Sequence, residues 1–308
     1  MDNLEMKWIR KYFNTINGML FLYKICFDLV ATFVMLLMYP FFSQSETFFE
    51  GGIWYLVAST CCFIIFLLWK RPYFFRTCIF PVRRSMSIGK FFCFFGVFML
   101  MQTLSSYLYI LMEIFANLFG VSLFQSLEIA TGNSITFSMF LYSALFAPVV
   151  EEFIFRGAIL KSLEPFGKWF ALLTSSLLFG LMHSNFAQIP FAIGAGLILG
   201  YIAMEYSIWH SIGLHIMNNF VLGDLLPKFL RLLPDTLANL LNLIITNGLI
   251  AIGFIFLITH LQSIRNFCST EHSTLKLLRI YFTTVLGILF ILYSICLLYT
   301  SPSPRDPR

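Results

Sequence analysis

Residues 141–160 read LYSALFAPVVEEFIFRGAIL, and this apolar stretch carries only three charged side chains, Glu151, Glu152 and Arg156. A helix needs roughly 20 mostly apolar residues to cross the hydrocarbon core of a bilayer. Ionisable side chains are costly at that depth, and each is a functional-site hypothesis by default. The stretch therefore predicts a membrane helix that carries a polar site.

The composition of the whole chain also indicates a membrane protein. Of the 308 residues 59% are hydrophobic and 11% are charged, and the mean hydropathy is +0.83. A soluble domain has about 25% charged residues. We therefore expect an all-α, polytopic transmembrane helix bundle with about eight spans. The net charge is +5, but the basic residues lie beside hydrophobic runs, where they determine membrane topology. The charge therefore does not indicate a nucleic-acid partner.

Hydrophobic runs divide the chain into candidate spans. They cover residues 19–42, 53–69, 91–118, 135–160, 169–182, 189–204, 208–222, 240–261 and 280–295. The fifth, sixth and seventh runs are short for full crossings. We expect them to be tilted, re-entrant or surrounded by protein.

Lysine and arginine residues predict the orientation. Cytoplasmic loops carry an excess of both, and here the N-terminal segment and every second loop are rich in them. We therefore expect a cytoplasmic N-terminus and alternating crossings. Lys228 and Arg231 do not fit, because this topology places them on the outer side.

One membrane domain is expected over residues 1–295, with its catalytic core at about 135–225. Residues 296–308 read CLLYTSPSPRDPR, and this string looks like a sequencing-library adapter translated in frame. Its Pro, Ser and Arg residues differ from the apolar chain before it. We expect this tail not to be native, and functional reasoning leaves it out.

The charged residues of the quoted stretch have separate geometric roles on a helix. Glu152 and Arg156 are four residues apart and share a face, so they can pair. Glu151 points about 100° away and is free to face a cavity. A carboxylate in that position suits a general base that activates water. The alternative is that all three residues only hold helices together.

Further polar groups lie in later hydrophobic runs. Phe179 and His183 end the fifth run, and His215 and Asn219 are four residues apart in the seventh, hence on one face. Each histidine alone is as easily a structural hydrogen-bonding group. Together with Glu151, these side chains can activate water and stabilise a tetrahedral oxyanion. The sequence has no HExxH zinc helix, GxSxG serine motif, Walker loop or GxGxxG turn.

The order and spacing of these residues resemble the CAAX protease and bacteriocin-processing family of intramembrane proteases, the Abi family, which includes type II CAAX prenyl endopeptidases. The resemblance covers roughly residues 143–223. Its EExxxR motif is matched within EEFIFRGAIL, its FxxxH motif within LLFGLMHSN, and its HxxxN or HxxxD motif within SIGLHIMNNF. The matched positions are Glu151, Glu152, Arg156, Phe179, His183, His215 and Asn219.

The resemblance implies a membrane-embedded peptidase in which Glu151 activates water and His183 orients water or peptide. His215 and Asn219 would hold the oxyanion. Supporting roles would fall to Glu152, Arg156 and Phe179.

No cofactor is expected, although Glu151, His183 and His215 would also be a plausible zinc set and the family was long described as metalloendopeptidases. The implied partners are the lipid bilayer and a substrate that is a peptide, a bacteriocin-related product or a membrane-anchored protein. We expect the bacterial cytoplasmic membrane as its location. Two alternatives are a bacteriocin immunity or accessory protein of the same fold without essential proteolysis, and a transporter-like bundle. The sequence leaves the oligomeric state open.

Overall fold

The computed structural model describes residues 3–42, 48, 51–74, 81–124, 136–269 and 274–300. Over these residues the regular structure is helical, without a strand, which confirms the all-α prediction. In chain order the helices are α1 (Asn3–Phe42), α2 (Ile53–Phe74), α3 (Ile88–Asn117), α4 (Phe137–Phe166), α5 (Lys168–Met182), α6 (Gln188–Glu205), α7 (208–230), α8 (Asp235–Thr259), α9 (Leu261–Ser269), α10 (Thr274–Phe282) and α11 (Val285–Thr300).

These helices are those of an integral membrane protein, but fewer of them can span a bilayer than the eight we expected. In the described part of the chain five helices are long and apolar enough, namely α1, α3, α4, α6 and α8. The pair α10 and α11, bent by 73°, makes a sixth if it is one span. The fifth predicted span, α5, has 15 residues. It rises only ~22 Å, less than the ~30 Å of the hydrocarbon core.

Both ends of the chain differ from the predicted boundaries. The first helix begins at Asn3 instead of residue 19, so Lys7, Arg10 and Lys11 lie on α1 itself. Residues 296–300 of the suspected adapter tail continue α11, and residues 301–308 lie outside the described residues. The loops predicted to lack basic residues also fall largely outside the described residues.

One core packs α1 and α11 against the helices that carry the motifs. Its fully buried side chains include Phe13 from α1, Leu160 from α4, Phe170 from α5 and Tyr281 from α10. The ring centroids of Phe13 and Tyr281 lie 5.2 Å apart, and those of Phe13 and Phe170 5.4 Å apart. The Phe166 ring at the end of α4 lies 5.0 Å from the same Phe13 ring, so Phe13 brings α4 and α5 against α1.

A second core joins α3, α6, α7 and α8. Phe98, Leu199 and Leu214 are buried in it. Two glycines let α3 and α8 touch along their backbones: a Cβ on Gly96 would lie 2.6 Å from the carbonyl oxygen of Leu249 and 2.7 Å from the nitrogen of Gly253. Small residues permit such close approach between membrane helices. Only 6% of the most apolar stretch of α8 is buried in the protein, as expected for a helix that faces lipid.

Two short connections position α5. Gly167 separates α4 from α5. Its φ of 137° is a backbone conformation that residues with a side chain rarely adopt. At the other end, the side-chain oxygen of Asn185 accepts hydrogen bonds from the backbone of Ala187 and Gln188 at the start of α6. The chain thus turns back directly after His183, which leaves this histidine at a helix end inside the bundle.

Lys228, one of the two basic residues that did not fit the predicted orientation, has a local partner. The Lys228 ammonium lies 2.8 Å from a carboxylate oxygen of Asp224, and it sits 5.5 Å from the ring centroid of Phe140. Its charge is therefore balanced within the protein, so Lys228 is a weak topology signal.

Candidate active site

The carboxylate of Glu152 lies at the centre of a buried polar network. One of its oxygens accepts from Arg156 Nη1 at 2.8 Å and lies 2.9 Å from His215 Nδ1. The other accepts from the Ser211 hydroxyl. The side chains of Glu152 and Arg156 are completely buried, and pair as their spacing predicts. A buried carboxylate needs such partners to remain charged.

Glu151, the adjacent carboxylate, faces a different environment. Its side chain is 27% exposed, and its Oε2 lies 3.8 Å from His215 Nε2. The His215 ring therefore lies between the two glutamates, with one nitrogen towards each. This arrangement joins the first and third motifs, which are on α4 and α7.

The hydrogen bonds of the two histidines define which ring nitrogen is free. His183 Nδ1 lies 2.8 Å from the backbone oxygen of Phe179, and a carbonyl can only accept. The carboxylate of Glu152 likewise accepts from His215 Nδ1. Both rings therefore carry a hydrogen on Nδ1, and their Nε2 atoms remain for other partners. Such bonds fix the ring orientation and tautomer of functional histidines.

Phe179 packs against the charged and imidazole groups together. The guanidinium carbon of Arg156 lies 4.3 Å from its ring centroid, within the range of a cation–π contact. The imidazoles of His183 and His215 meet the same ring edge-on, with centroids at 4.9 and 5.9 Å. Phe179 thus holds the second motif on α5 against the other two.

The fourth predicted residue, Asn219, approaches α4 from α7. Its Nδ2 donates to the backbone oxygen of Ser143 at 3.0 Å, and its Oδ1 accepts from Asn218 Nδ2 at 3.0 Å. One hydrogen on Asn219 Nδ2 remains after these contacts. The structure therefore brings residues of all three motifs into one connected region.

Three π-helical segments surround this region. They are Leu141–Phe146 and Phe153–Leu160 in α4, and Met217–Leu225 in α7. They contain Ser143, Arg156 and Asn219 respectively. The π-helix has i→i+5 hydrogen bonds, is rare, and often occurs at functional sites. Its wider turn changes which side chains share a face.

Three residues in this region were missed or misjudged from the sequence. Ser211 precedes His215 by four residues, and that spacing could have identified it as a partner on the same face. Ser143 contributes only its backbone, which leaves no side-chain signal. Asn218 was expected on another face as a bystander, but its Nδ2 contacts Asn219 directly, and whether it serves the site stays a prediction.

The placement of possible ligand side chains bears on the zinc alternative. Among the residues that the structure describes, no group of three His, Cys, Asp or Glu side chains could hold a metal ion. Glu151, His183 and His215 therefore do not form such a group as they are placed, and no reaction step is assigned to a metal.

The family comparison agrees with the motifs. Residues 133–221 match the family model of the type II CAAX prenyl endopeptidase, Rce1-like. The resemblance is confirmed over this segment. It includes all seven motif residues and the three π-helical segments up to residue 221.

A curated protein also matches part of the chain. "Putative membrane peptidase YdiL" of Bacillus subtilis (strain 168) is 32% identical over 83 residues. The match covers 26% of this chain and 34% of the relative, so the chain spans about a third of the length of the protein it matches. No solved structure matches the chain. Together these similarities support a membrane peptidase.

Proposed function

We propose that this protein is an intramembrane endopeptidase that hydrolyses peptide bonds with water activated by Glu151. The observation that carries the proposal is the position of the His215 ring, with Nδ1 at 2.9 Å from Glu152 and Nε2 at 3.8 Å from Glu151. A partly exposed carboxylate beside an oriented imidazole suits general-base chemistry. The match of residues 133–221 to a peptidase family supports the same reading.

In the proposed reaction Glu151 takes a proton from water while the water oxygen attacks the carbonyl carbon of the scissile peptide. His183 Nε2, the free nitrogen of its ring, accepts the second hydrogen of that water and orients it. A tetrahedral intermediate with a negatively charged oxygen results. Glu151 then gives its proton to the leaving nitrogen, the C–N bond breaks, and a new carboxyl group and amine are released.

The oxyanion is held by two donors from α7 in this proposal. His215 donates from Nε2 in its protonated form, and Glu152 balances the imidazolium charge through Nδ1. Asn219 donates its remaining Nδ2 hydrogen. Preorganised donors of this kind stabilise the transition state more than the ground state. Arg156 balances Glu152, and Phe179 packs the set together.

We propose a peptide or a membrane-anchored protein that reaches the site from the bilayer, and the name of the matched family makes a prenylated CAAX peptide one probe. The proposed location is the bacterial cytoplasmic membrane with a cytoplasmic N-terminus. A bacteriocin-related substrate and an immunity role belong to the same proposal as outcomes to be distinguished.

The test uses the purified full chain in detergent and in liposomes. One arm presents a library of internally quenched peptides, and the other a farnesylated peptide that ends in a CAAX box. The reaction runs in H₂¹⁸O, and mass spectrometry reads the new ends. Hydrolysis places one solvent oxygen in the new carboxyl group.

The control is the double variant Glu151→Gln, His183→Ala, with Glu205→Gln as a matched carboxylate substitution on α6. We expect labelled products from wild type and Glu205→Gln alone. Equal product from the double variant would overturn the proposal. If the double variant still protects cells against a bacteriocin that the wild type neutralises, immunity does not depend on proteolysis and the enzyme assignment loses its biological basis.

A further inference from the structure

Asn218 and Asn219 form a directed pair of side-chain amides in the π-helical part of α7. Asn218 Nδ2 donates to Asn219 Oδ1 at 3.0 Å, and Asn219 Nδ2 donates to the carbonyl of Ser143 at 3.0 Å. Adjacent residues of an α-helix point about 100° apart and do not face each other. The contact between these neighbours lies within the π-helical segment Met217–Leu225.

The direction of the pair follows from what each atom can do. A carbonyl only accepts, so the nitrogen of Asn219 faces Ser143 and its oxygen faces Asn218. Asn218 must then present its own nitrogen, because two amide oxygens would repel each other. The contacts leave one Asn219 Nδ2 hydrogen, the group that the proposed function assigns to the oxyanion.

This direction leaves Asn218 with an unsatisfied atom. Its Oδ1 is buried and has no hydrogen-bond partner among the residues that the structure describes. Such atoms are rare in proteins, and each calls for an explanation such as a functional constraint. The Asn218 amide is therefore bonded through its nitrogen to Asn219, and this bond sets which way the Asn219 amide faces.

We propose that Asn218 is a positioning residue for the hydrolysis reaction, which holds the Asn219 amide with an N–H towards the substrate oxyanion. The inference rests on the proposed function and adds a residue to it. Asn218 makes no contact with the reacting atoms and acts only through Asn219. Its removal lets the Asn219 amide rotate, so the donor is present but poorly aimed.

The test is a double-mutant cycle on the full-length protein, with the quenched peptide that wild type cleaves fastest in the library. We expect Asn219→Ala to lower kcat about 10²-fold, as loss of one oxyanion donor does. Asn218→Ala is expected to lower kcat about 10-fold, a typical effect of losing a group that orients a functional residue. KM stays unchanged in both. The double variant is expected to be no slower than Asn219→Ala, since Asn218 has no route to act without Asn219.

A second variant separates the donated hydrogen bond from packing. Asn218→Asp keeps the size of the side chain and removes the donor, so we expect its kcat to be no better than that of Asn218→Ala. Both variants remove the same donor. If one of them does not elute as a monodisperse protein in gel filtration, the other still tests the role of the donated hydrogen bond. Asn239→Ala, on the exposed side of α8, is the matched control and retains the wild-type rate.

Three results would overturn the inference. They are losses that multiply in the double variant, a near wild-type rate for Asn218→Asp, and a wild-type rate for Asn219→Ala. None of them removes the role of Glu151, which is tested by its own substitution. The failure of this inference is therefore distinguishable from failure of the proposed function.

Discussion

His215 and Glu152 are joined by a direct hydrogen bond in the protein interior, with 2.9 Å between Nδ1 and Oε1. The bond connects α7 to α4 and holds the opposite ring nitrogen at 3.8 Å from Glu151. Two adjacent glutamates therefore have different environments. One is buried and fully paired, and the other is partly exposed beside an oriented imidazole.

Replacement of Glu152 tests the buried part of this arrangement. In Glu152→Gln the guanidinium of Arg156 loses its buried ion-pair partner at 2.8 Å. Removing one member of a buried ion pair costs about 3–5 kcal/mol, so we expect a lower unfolding temperature as well as lost peptidase activity. Thermal unfolding in detergent and a peptide-cleavage assay measure the two effects.

The double variant Glu152→Gln, Arg156→Met distinguishes the two effects. It removes both charges, so we expect most of the lost thermal stability to return while the activity does not. Full recovery of activity in the double variant would show that neither charge serves the reaction.

Ser211 offers a milder test of the same network. Its hydroxyl reaches Glu152 Oε2 and also lies 3.0 Å from the carbonyl of Leu199. A hydrogen bond to a charged group contributes about 1.5–3 kcal/mol, so Ser211→Ala is expected to lower stability by that amount and to reduce kcat. Ser176→Ala is the control, because its buried hydroxyl bonds only to Leu172 within its own helix. Equal effects of both substitutions on kcat would contradict a role for Ser211 in the site.

The two histidines of α7 provide a matched pair. His215 lies between the glutamates, whereas His210 Nδ1 contacts the Ser207 hydroxyl at the start of the helix. We expect His215→Ala to lower kcat by about 10²–10³-fold, as loss of an oxyanion donor does. His210→Ala should keep the wild-type rate. A similar loss of rate in both variants would indicate a folding effect on α7 instead of a catalytic one.

Metal chelation tests the water-activation step. The proposed mechanism assigns proton transfer to Glu151 and orientation of water to His183, without a metal ligand set among the described residues. We therefore expect incubation with 1,10-phenanthroline, followed by gel filtration, to leave kcat unchanged. A loss of activity that added zinc restores would require Glu151, His183 and His215 to rearrange into a ligand set.

The sequence was sufficient for the motif helices and for the ion pair between Glu152 and Arg156, but not for the contact of Glu152 with His215. The i, i+4 spacing of Glu152 and Arg156 predicts their contact, because helical geometry alone brings such residues together. His215 and Asn219 were expected on one face, and both do contact α4, although a π-helical segment begins between them.

The remaining parts of the site depend on tertiary packing. The π-helical segments have no sequence signature that we recognised, and they change the positions of Asn218 and Asn219 relative to α-helical expectation. Ser143 acts through its backbone oxygen, which any residue possesses. About eight spans were expected, whereas five or six of the described helices are long and apolar enough, because apolar composition does not distinguish a 15-residue helix buried in protein from one that crosses lipid.

The most direct test of the central claim is the rate of Glu151→Gln on a peptide that the wild type cleaves. Glutamine keeps the size of the side chain and removes its ability to take a proton. We predict a fall in kcat of about 10²–10⁴-fold with little change in KM, and a wild-type rate for the control Glu205→Gln. A Glu151→Gln variant that cleaves at the wild-type rate would contradict the account.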